Sequence, residues 1–159
     1  MKETIIIGSD KSGFTLKEAV RQWLGDQGFD VKDLGTTDIE NFMPYFEVAS
    51  VVARAVQKGE AKRAILVCGT GMGVTITANK FKGIYAALCE NVYIAKMCSA
   101  VNKANILCLG GWVTAPEQSY EIIKAWMDTP FGEGFPPERV EFLENAFDSL
   151  QAIEEDILK

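Results

Sequence analysis

Residues 63–74, RAILVCGTGMGV, decide the fold. The run Ala64–Val67 is apolar without alternation, as expected of a strand covered on both faces. It stops at Cys68, and glycines follow at 69, 71 and 73. Glycines so spaced let the backbone turn tightly and lead into a helix running to about Lys80. The same strand-then-helix unit recurs along the chain. TIIIGS (4–9), FDVKDLG (29–35), GIYAALC (83–89) and ANILCLGG (104–111) read as further strands. Helices are expected over 12–28, after Pro44 to about 59, through 91–101 and over 116–130. Five strands interleaved with helices predict an α/β fold whose five-stranded parallel sheet is covered on both faces. One domain over residues 1–159 is expected. Its segment 132–159 forms a Gly/Pro-rich hinge and an extra C-terminal helix, with Val140, Leu143, Phe147, Leu150 and Ile153 near helical spacing. Periodicity alone leaves open whether that helix docks on its own sheet or on a partner subunit.

Composition narrows the function. The net charge is −6, and no basic stripe is present to neutralise nucleic-acid phosphates. No apolar run reaches membrane-spanning length. Four cysteines lie in or beside apolar stretches without a metal-ligand spacing, and no secretory leader is apparent. These features predict reduced thiols and a cytoplasmic location. The chain also contains no histidine. The commonest general base near neutral pH is therefore missing, and proton chemistry must run on thiol, carboxyl, amine or hydroxyl groups.

In an open parallel sheet, ligands bind beyond the carboxyl ends of the strands, near a switch in strand order. Three such ends carry chemistry: GSDKSG (8–13), CGTGMG (68–73) and CLGGW (108–112). In the second, successive backbone N–H groups and the start of a helix suit an oxyanion or phosphate. A thiol in such a setting has a lowered pKa, which makes Cys68 a candidate base or nucleophile; a packed strand-end thiol is the blander alternative. The spacing is not a dinucleotide fingerprint, because position 74 is valine, and no Gly-Lys-Ser/Thr follows as a phosphate loop requires. Asp10 either accepts hydrogen bonds from substrate hydroxyls or caps the helix that begins near Ser12. Asn102 and Asn105 flank strand five and satisfy turn backbone in the simplest reading. Trp112 is either a sugar-stacking platform or a partly buried packing aromatic. Cys89, Cys98 and Cys108 read as core.

Over nearly its full length the chain resembles the family of ribose-5-phosphate isomerase B and the galactose-6-phosphate isomerase subunits. The carrying segments are IIIGSDKSGFTLK (5–17), ILVCGTGMGVTITANKFKGIYAALC (65–89), NKANILCLGG (102–111) and GFPPERV (134–140). The resemblance implies a Rossmann-like three-layer α/β/α sandwich and an aldose–ketose isomerase working through a cis-enediolate without metal, nucleotide or other cofactor. It implies a homodimer or tetramer with active sites shared between subunits. Cys68 matches the cysteine that moves the proton between C1 and C2, and Thr70 lies in the same loop. The amides of Gly69, Gly71, Met72 and Gly73 match those holding the developing negative charge. Asp10 and Lys11 match substrate-contacting positions, and Asn102 matches a residue supplied by the partner subunit. Arg139 matches an anion-binding arginine.

The departures bear on substrate. Lys11 stands where members acting on ribose 5-phosphate carry histidine. The ring-opening histidine falls on Val101, and two phosphate-binding arginines fall on Trp112 and Phe135. Ribose 5-phosphate is therefore disfavoured. One alternative is an open-chain substrate such as a tetrose 4-phosphate, whose blocked O4 cannot close a five-membered ring. The other is an unphosphorylated or carboxylated sugar, with Trp112 and Phe135 against the sugar and Arg139 or Lys11 pairing one anion. The GFPPERV hinge is similar to relatives that isomerise unsaturated uronates, which favours the second. A non-catalytic subunit, needing a different family chain or acting as a sugar-binding protein, is the rival from another class; retention of Cys68 within the whole turn speaks against it.

Overall fold

A computed structural model describes residues 2–158. Its five parallel strands are β1 (Thr4–Ser9), β2 (Asp30–Asp33), β3 (Arg63–Cys68), β4 (Ala86–Leu88) and β5 (Ile106–Gly110), in the order β2-β1-β3-β5-β4. The helices are α1 (Phe14–Asp26), α2 (Tyr45–Gln57), α3 (Met72–Ala78), α4 (Val92–Asn102), α5 (Pro116–Asp128) and α6 (Pro137–Ile157), with one 3-10 turn at Ile39–Asn41.

The three-layer reading holds, and the reason is visible in the central strands. Ile5 to Ile7, Ala64 to Val67 and Ile106 to Leu109 are all fully buried, so neither sheet face meets water. On one face, Leu16, Val20 and Leu24 of α1 pack with Cys98 of α4 and with Ile122, Ile123 and Trp126 of α5. On the other, Val48, Ala49, Val52 and Ala53 of α2 pack with Val74 and Ala78 of α3. Val48, Ala49, Val52 and Ala53 recur at helical spacing and form the buried stripe of α2.

Elements end earlier than pattern alone suggests. β4 keeps only three residues, because it is an edge strand and its residues are only partly buried. α3 stops at Ala78 rather than Lys80; Asn79 closes it by exchanging two bonds with the Ala86 backbone, 2.9 and 2.8 Å long. The last helix begins at Pro137, a residue pre-set for a first helical position.

α6 docks across the starting edge of the sheet. Glu154 accepts from the Gly83 amide at 2.8 Å and from the Tyr85 hydroxyl at 3.0 Å, and Phe147 meets the Tyr85 ring edge-on. Only Leu143 of this helix is buried, while Phe142, Leu150, Ile153 and Ile157 stay exposed.

Candidate active site

The order of the strands fixes where a ligand belongs. From β1 the chain goes to one neighbour, β2, and then to the other, β3, so the switch point lies between β1 and β3. The segments leaving these strands at their carboxyl ends are Asp10–Gly13 and Cys68–Gly73. The turn after β5, on the far side of β3, completes the group.

Glycines let these three segments touch. A Cβ on Gly13 would stand 2.5 Å from the Val67 carbonyl oxygen and 2.9 Å from the Cys68 nitrogen. A Cβ on Gly111 would stand 2.9 Å from the Ser12 carbonyl oxygen, and one on Gly110 would stand 2.8 Å from the Thr70 carbonyl carbon. Backbone bonds lock the contacts: the Gly111 amide donates to the Cys68 carbonyl at 2.8 Å, and the Trp112 amide to the Gly69 carbonyl at 2.9 Å. The cysteine is thus held by both flanking loops.

Cys68 is 5% exposed. Its sulfur is not surrounded by hydrocarbon alone, for the Gly71 amide donates to Sγ at 3.1 Å. A backbone N–H so aimed interacts most strongly with sulfur when the atom carries negative charge. Gly71 can make the bond because its φ of 80° puts it in the left-handed region. This corrects part of the expected cradle. The Gly71 amide faces the sulfur rather than a substrate oxygen, and the Met72 amide donates to Thr70 Oγ1 at 3.3 Å. The Gly69, Thr70 and Gly73 amides make no hydrogen bond among the described residues and remain for an oxyanion. α3 is only seven residues long, so the turn itself, more than a long helix behind it, sets the local field.

The other cysteines differ, as expected of core. Cys108 is fully buried, and burial is the main cause that pushes its thiol up to about 12. The Thr75 hydroxyl opposes the shift, and charge at Cys68 adds to it. Cys89 lies 3.7 Å from Cys98, sulfur to sulfur. Its thiol is held up by the bond to Cys98 first and by burial second.

Asp10 does part of both things expected of it. Its Oδ1 accepts from the Gly13 amide at 2.9 Å, closing the turn before α1, but the N-cap position itself is Gly13 rather than Asp10. The other carboxylate oxygen remains for a ligand hydroxyl. Lys11 is exposed, with its ammonium 5.3 Å from the centre of the Phe42 ring. Trp112 is 73% exposed, with one side of its indole against Gly69. Asn105 is structural: it accepts from the Tyr85 amide and donates to the Gly83 carbonyl, both at 2.8 Å.

Two predicted residues are not brought together with Cys68. Asn102 ends α4, which runs antiparallel to the strands and delivers it to the sheet's starting edge. The Asn105 carbonyl there accepts from Ala64, at the beginning of β3. From that point to Cys68 is most of a strand, roughly 15 Å. Arg139 lies in the first turn of α6; the hinge before that helix is tied to the end of α4 by a 2.9 Å bond from the Gly132 amide to the Ala100 carbonyl. Its guanidinium rests on the Phe142 ring at 4.7 Å. Within one copy of the chain, Asn102 and Arg139 therefore lie at the edge of the sheet opposite Cys68.

Sequence reasoning missed Tyr45, whose ring lies on the Gly73 α-carbon, and the buried Lys17. The Lys17 ammonium meets Glu18 and Asp33 at 2.5 Å each and the Thr36 carbonyl at 2.8 Å. Its signal in the sequence was faint: one lysine on an otherwise amphipathic helix.

Comparison with known proteins agrees with this geometry. Residues 5–143 match the family model described as Ribose/Galactose Isomerase. The chain is 48% identical over 155 residues to the 4-deoxy-4-sulfo-D-erythrose isomerase of a Clostridium species, covering 98% of each. It is 40% identical over 129 residues to D-erythrulose-4-phosphate isomerase 2 of Mycolicibacterium smegmatis, covering 80% of this chain and 85% of that one. The solved ribose-5-phosphate isomerase B of Clostridium thermocellum superposes with a TM-score of 0.87 at 36% identity, covering 96% and 98% of the two chains. The chain therefore belongs to the ribose/galactose isomerase family and is an isomerase that interconverts aldose and ketose forms of a small sugar phosphate or sugar acid.

Proposed function

We propose that the substrate is a four-carbon aldose or ketose bearing an anion on C4, with a sulfonate preferred to a phosphate. The observation that carries this reading is the loss of side chains that a ring-forming, dianionic substrate would need. Val101 cannot transfer the proton that opens a sugar ring, and Trp112 and Phe135 cannot pair with a phosphate. A tetrose with C4 substituted has no hydroxyl there to close a five-membered ring. It reaches the enzyme open, and no ring-opening group is required. A sulfonate carries a single permanent charge, which suits a site left with Arg139 and Lys11 as its cations. Both compared relatives are named for four-carbon substrates, one sulfonated and one phosphorylated.

In this reading Cys68, as thiolate, takes the proton from C2 of the aldose. The C–H electron pair forms the C1–C2 double bond, and the carbonyl oxygen becomes the enediolate oxygen. The free Gly69, Thr70 and Gly73 amides receive that charge, as an oxyanion hole does. The thiol returns its proton to C1 while the O2 hydroxyl proton passes to O1, giving the ketose. The Thr70 hydroxyl sits where it can carry the second proton, since its oxygen accepts from Met72 and its O–H remains to donate. Asp10 anchors a substrate hydroxyl through its second oxygen. Asn102 and Arg139 serve the site of a second copy of the chain, because within one copy they lie at the wrong edge. A dimer of this kind works in the cytoplasm on a soluble metabolite.

The test is a panel of purified substrates: 4-deoxy-4-sulfo-erythrose, erythrose 4-phosphate, ribose 5-phosphate and an unsaturated uronate. The expected order of kcat/KM places both four-carbon anions first, with the sulfonate above the phosphate. Turnover of ribose 5-phosphate or the uronate at a comparable rate contradicts the proposal.

A further inference from the structure

Two aromatic rings lie directly on the catalytic turn. A Cβ on Gly69 would stand 2.8 Å from Cδ2, Cε2 and Cε3 of Trp112. A Cβ on Gly73 would stand 2.8 Å from Cδ2 and Cε2 of Tyr45. The indole covers the first glycine of the turn and the phenol covers the last, with the Gly71 amide that faces Cys68 between them. Neither ring is packed away: Trp112 is 73% exposed and Tyr45 42%.

Both rings are held by backbone. Trp112 follows β5, and its amide is bonded to Gly69, while the Val113 and Thr114 amides both donate to the Gly110 carbonyl, at 3.1 and 2.9 Å. Tyr45 opens α2 directly after Pro44, and the Met43 amide is bonded to Thr36 Oγ1 at 3.0 Å. Thr36 in turn is anchored through its carbonyl by the buried Lys17 at 2.8 Å. The Phe46 ring meets Tyr45 edge-on, with centres 5.4 Å apart. An aromatic side chain has few rotatable bonds, so a wall built from it is stiff.

We propose that Tyr45 and Trp112 are the specificity-determining walls of this isomerase, limiting the carbon chain that can lie across the Gly69–Gly73 turn with its C1–C2 bond at Cys68. The proposal rests on the four-carbon reading above and gives it a physical cause. In a C4-substituted tetrose, C4 is a methylene that loses nothing against a ring face. A five-carbon sugar phosphate places a hydroxyl-bearing carbon there instead. That hydroxyl is stripped of water and finds no acceptor on a ring face. A polar group forced against an apolar wall is rejected by about 10²-fold.

The experiment measures kcat and KM for the full-length wild type, Trp112→Ala, Tyr45→Ala and Trp112→Phe. The substrates are 4-deoxy-4-sulfo-erythrose, erythrose 4-phosphate and ribose 5-phosphate. In each alanine variant the four-carbon to five-carbon ratio of kcat/KM is expected to fall at least tenfold, chiefly through KM, while Trp112→Phe keeps most of the wild-type ratio. Trp112→Ser, small and polar, replaces Trp112→Ala if the latter fails to fold, and the same fall is expected. A ratio unchanged in both wall variants overturns the proposal, whether activity drops equally on all substrates or not at all. The wild-type ratio judges the four-carbon reading separately. If wild type prefers ribose 5-phosphate that reading fails, while the walls still stand or fall on whether the ratio moves.

Discussion

The two edges of the sheet are built from the same strands and hold opposite kinds of structure. At the carboxyl edge, three loops are pinned together by glycine contacts and backbone bonds, and one buried ammonium, Lys17, ties down the segment that follows β2. At the starting edge, Asn102 and Arg139 sit on a helix end and a docked outer helix. There Lys82 pairs with Glu155 at 2.6 Å with both side chains largely in water. A site that must hold a thiolate to a fraction of an ångström needs the first kind of structure. A surface meant to meet another copy can be the second. The difference teaches that topology alone separates the two groups of residues, since a helix running antiparallel to its strands cannot return Asn102 to Cys68; in the proposed function it is a second copy that brings them together.

Complementation between subunits is the strongest way to break this comparison. Cys68→Ala and Asn102→Ala each remove one half-site. Alone, each is expected to lose at least about 10²-fold in kcat, the low end for losing a proton-transfer group or an oxyanion donor. If the sites are shared in a dimer, mixing and reassembling the two variants restores one intact site in half of the dimers, or about a quarter of wild-type activity. Absence of any recovery after verified subunit exchange means that Asn102 does not serve a neighbour's cysteine.

Stability should differ between the edges as sharply as function does. Lys17→Met strands Asp33 and the Thr36 carbonyl beside an apolar chain, and about 3–5 kcal/mol of unfolding free energy is expected to go. Lys82→Ala, at the other edge, should cost under about 1 kcal/mol. Urea titrations of the two variants read the contrast; equal losses contradict it. Gly13→Ala falls between them at about 1–3 kcal/mol, because its Cβ meets backbone that cannot swing aside.

The smallest effect concerns the thiol that does no chemistry. Cys108 titrates near 12 in the folded chain against an ordinary value near 9, so between those limits the folded state binds more protons than the unfolded one. Its contribution to stability is complete below about pH 9 and declines as pH rises towards 12. By pH 10 the loss is about 1–2 kcal/mol, and in Cys108→Ala that increment of the pH dependence should vanish.

Much of this was legible in the sequence, for physical reasons. Unbroken apolar runs announce strands buried on both faces, which is why β3 and β5 were readable and the edge strand β4 was less so. The alternation of glycines after Cys68 announced a tight turn, but not where its amides point. One of them serves the sulfur, a matter of φ at Gly71 that no pattern encodes. Trp112 and Tyr45 stand far apart in sequence, and only the packing of Gly69 and Gly73 shows that both rings touch one turn. The roles of Lys11 and Arg139 rested on resemblance, and their side chains lie on Phe42 and Phe142 rather than over the cysteine.

Isotope exchange tests the central claim most directly. In deuterated water with 4-deoxy-4-sulfo-erythrose, wild type is expected to place solvent deuterium at C1 of the ketose, and at C2 of the aldose by the reverse reaction. Cys68→Ala, folded as judged by circular dichroism, is expected to place none. Deuterium entering at the wild-type rate in that variant would contradict the account, for the proton would then be carried by some group other than the sulfur at the end of β3.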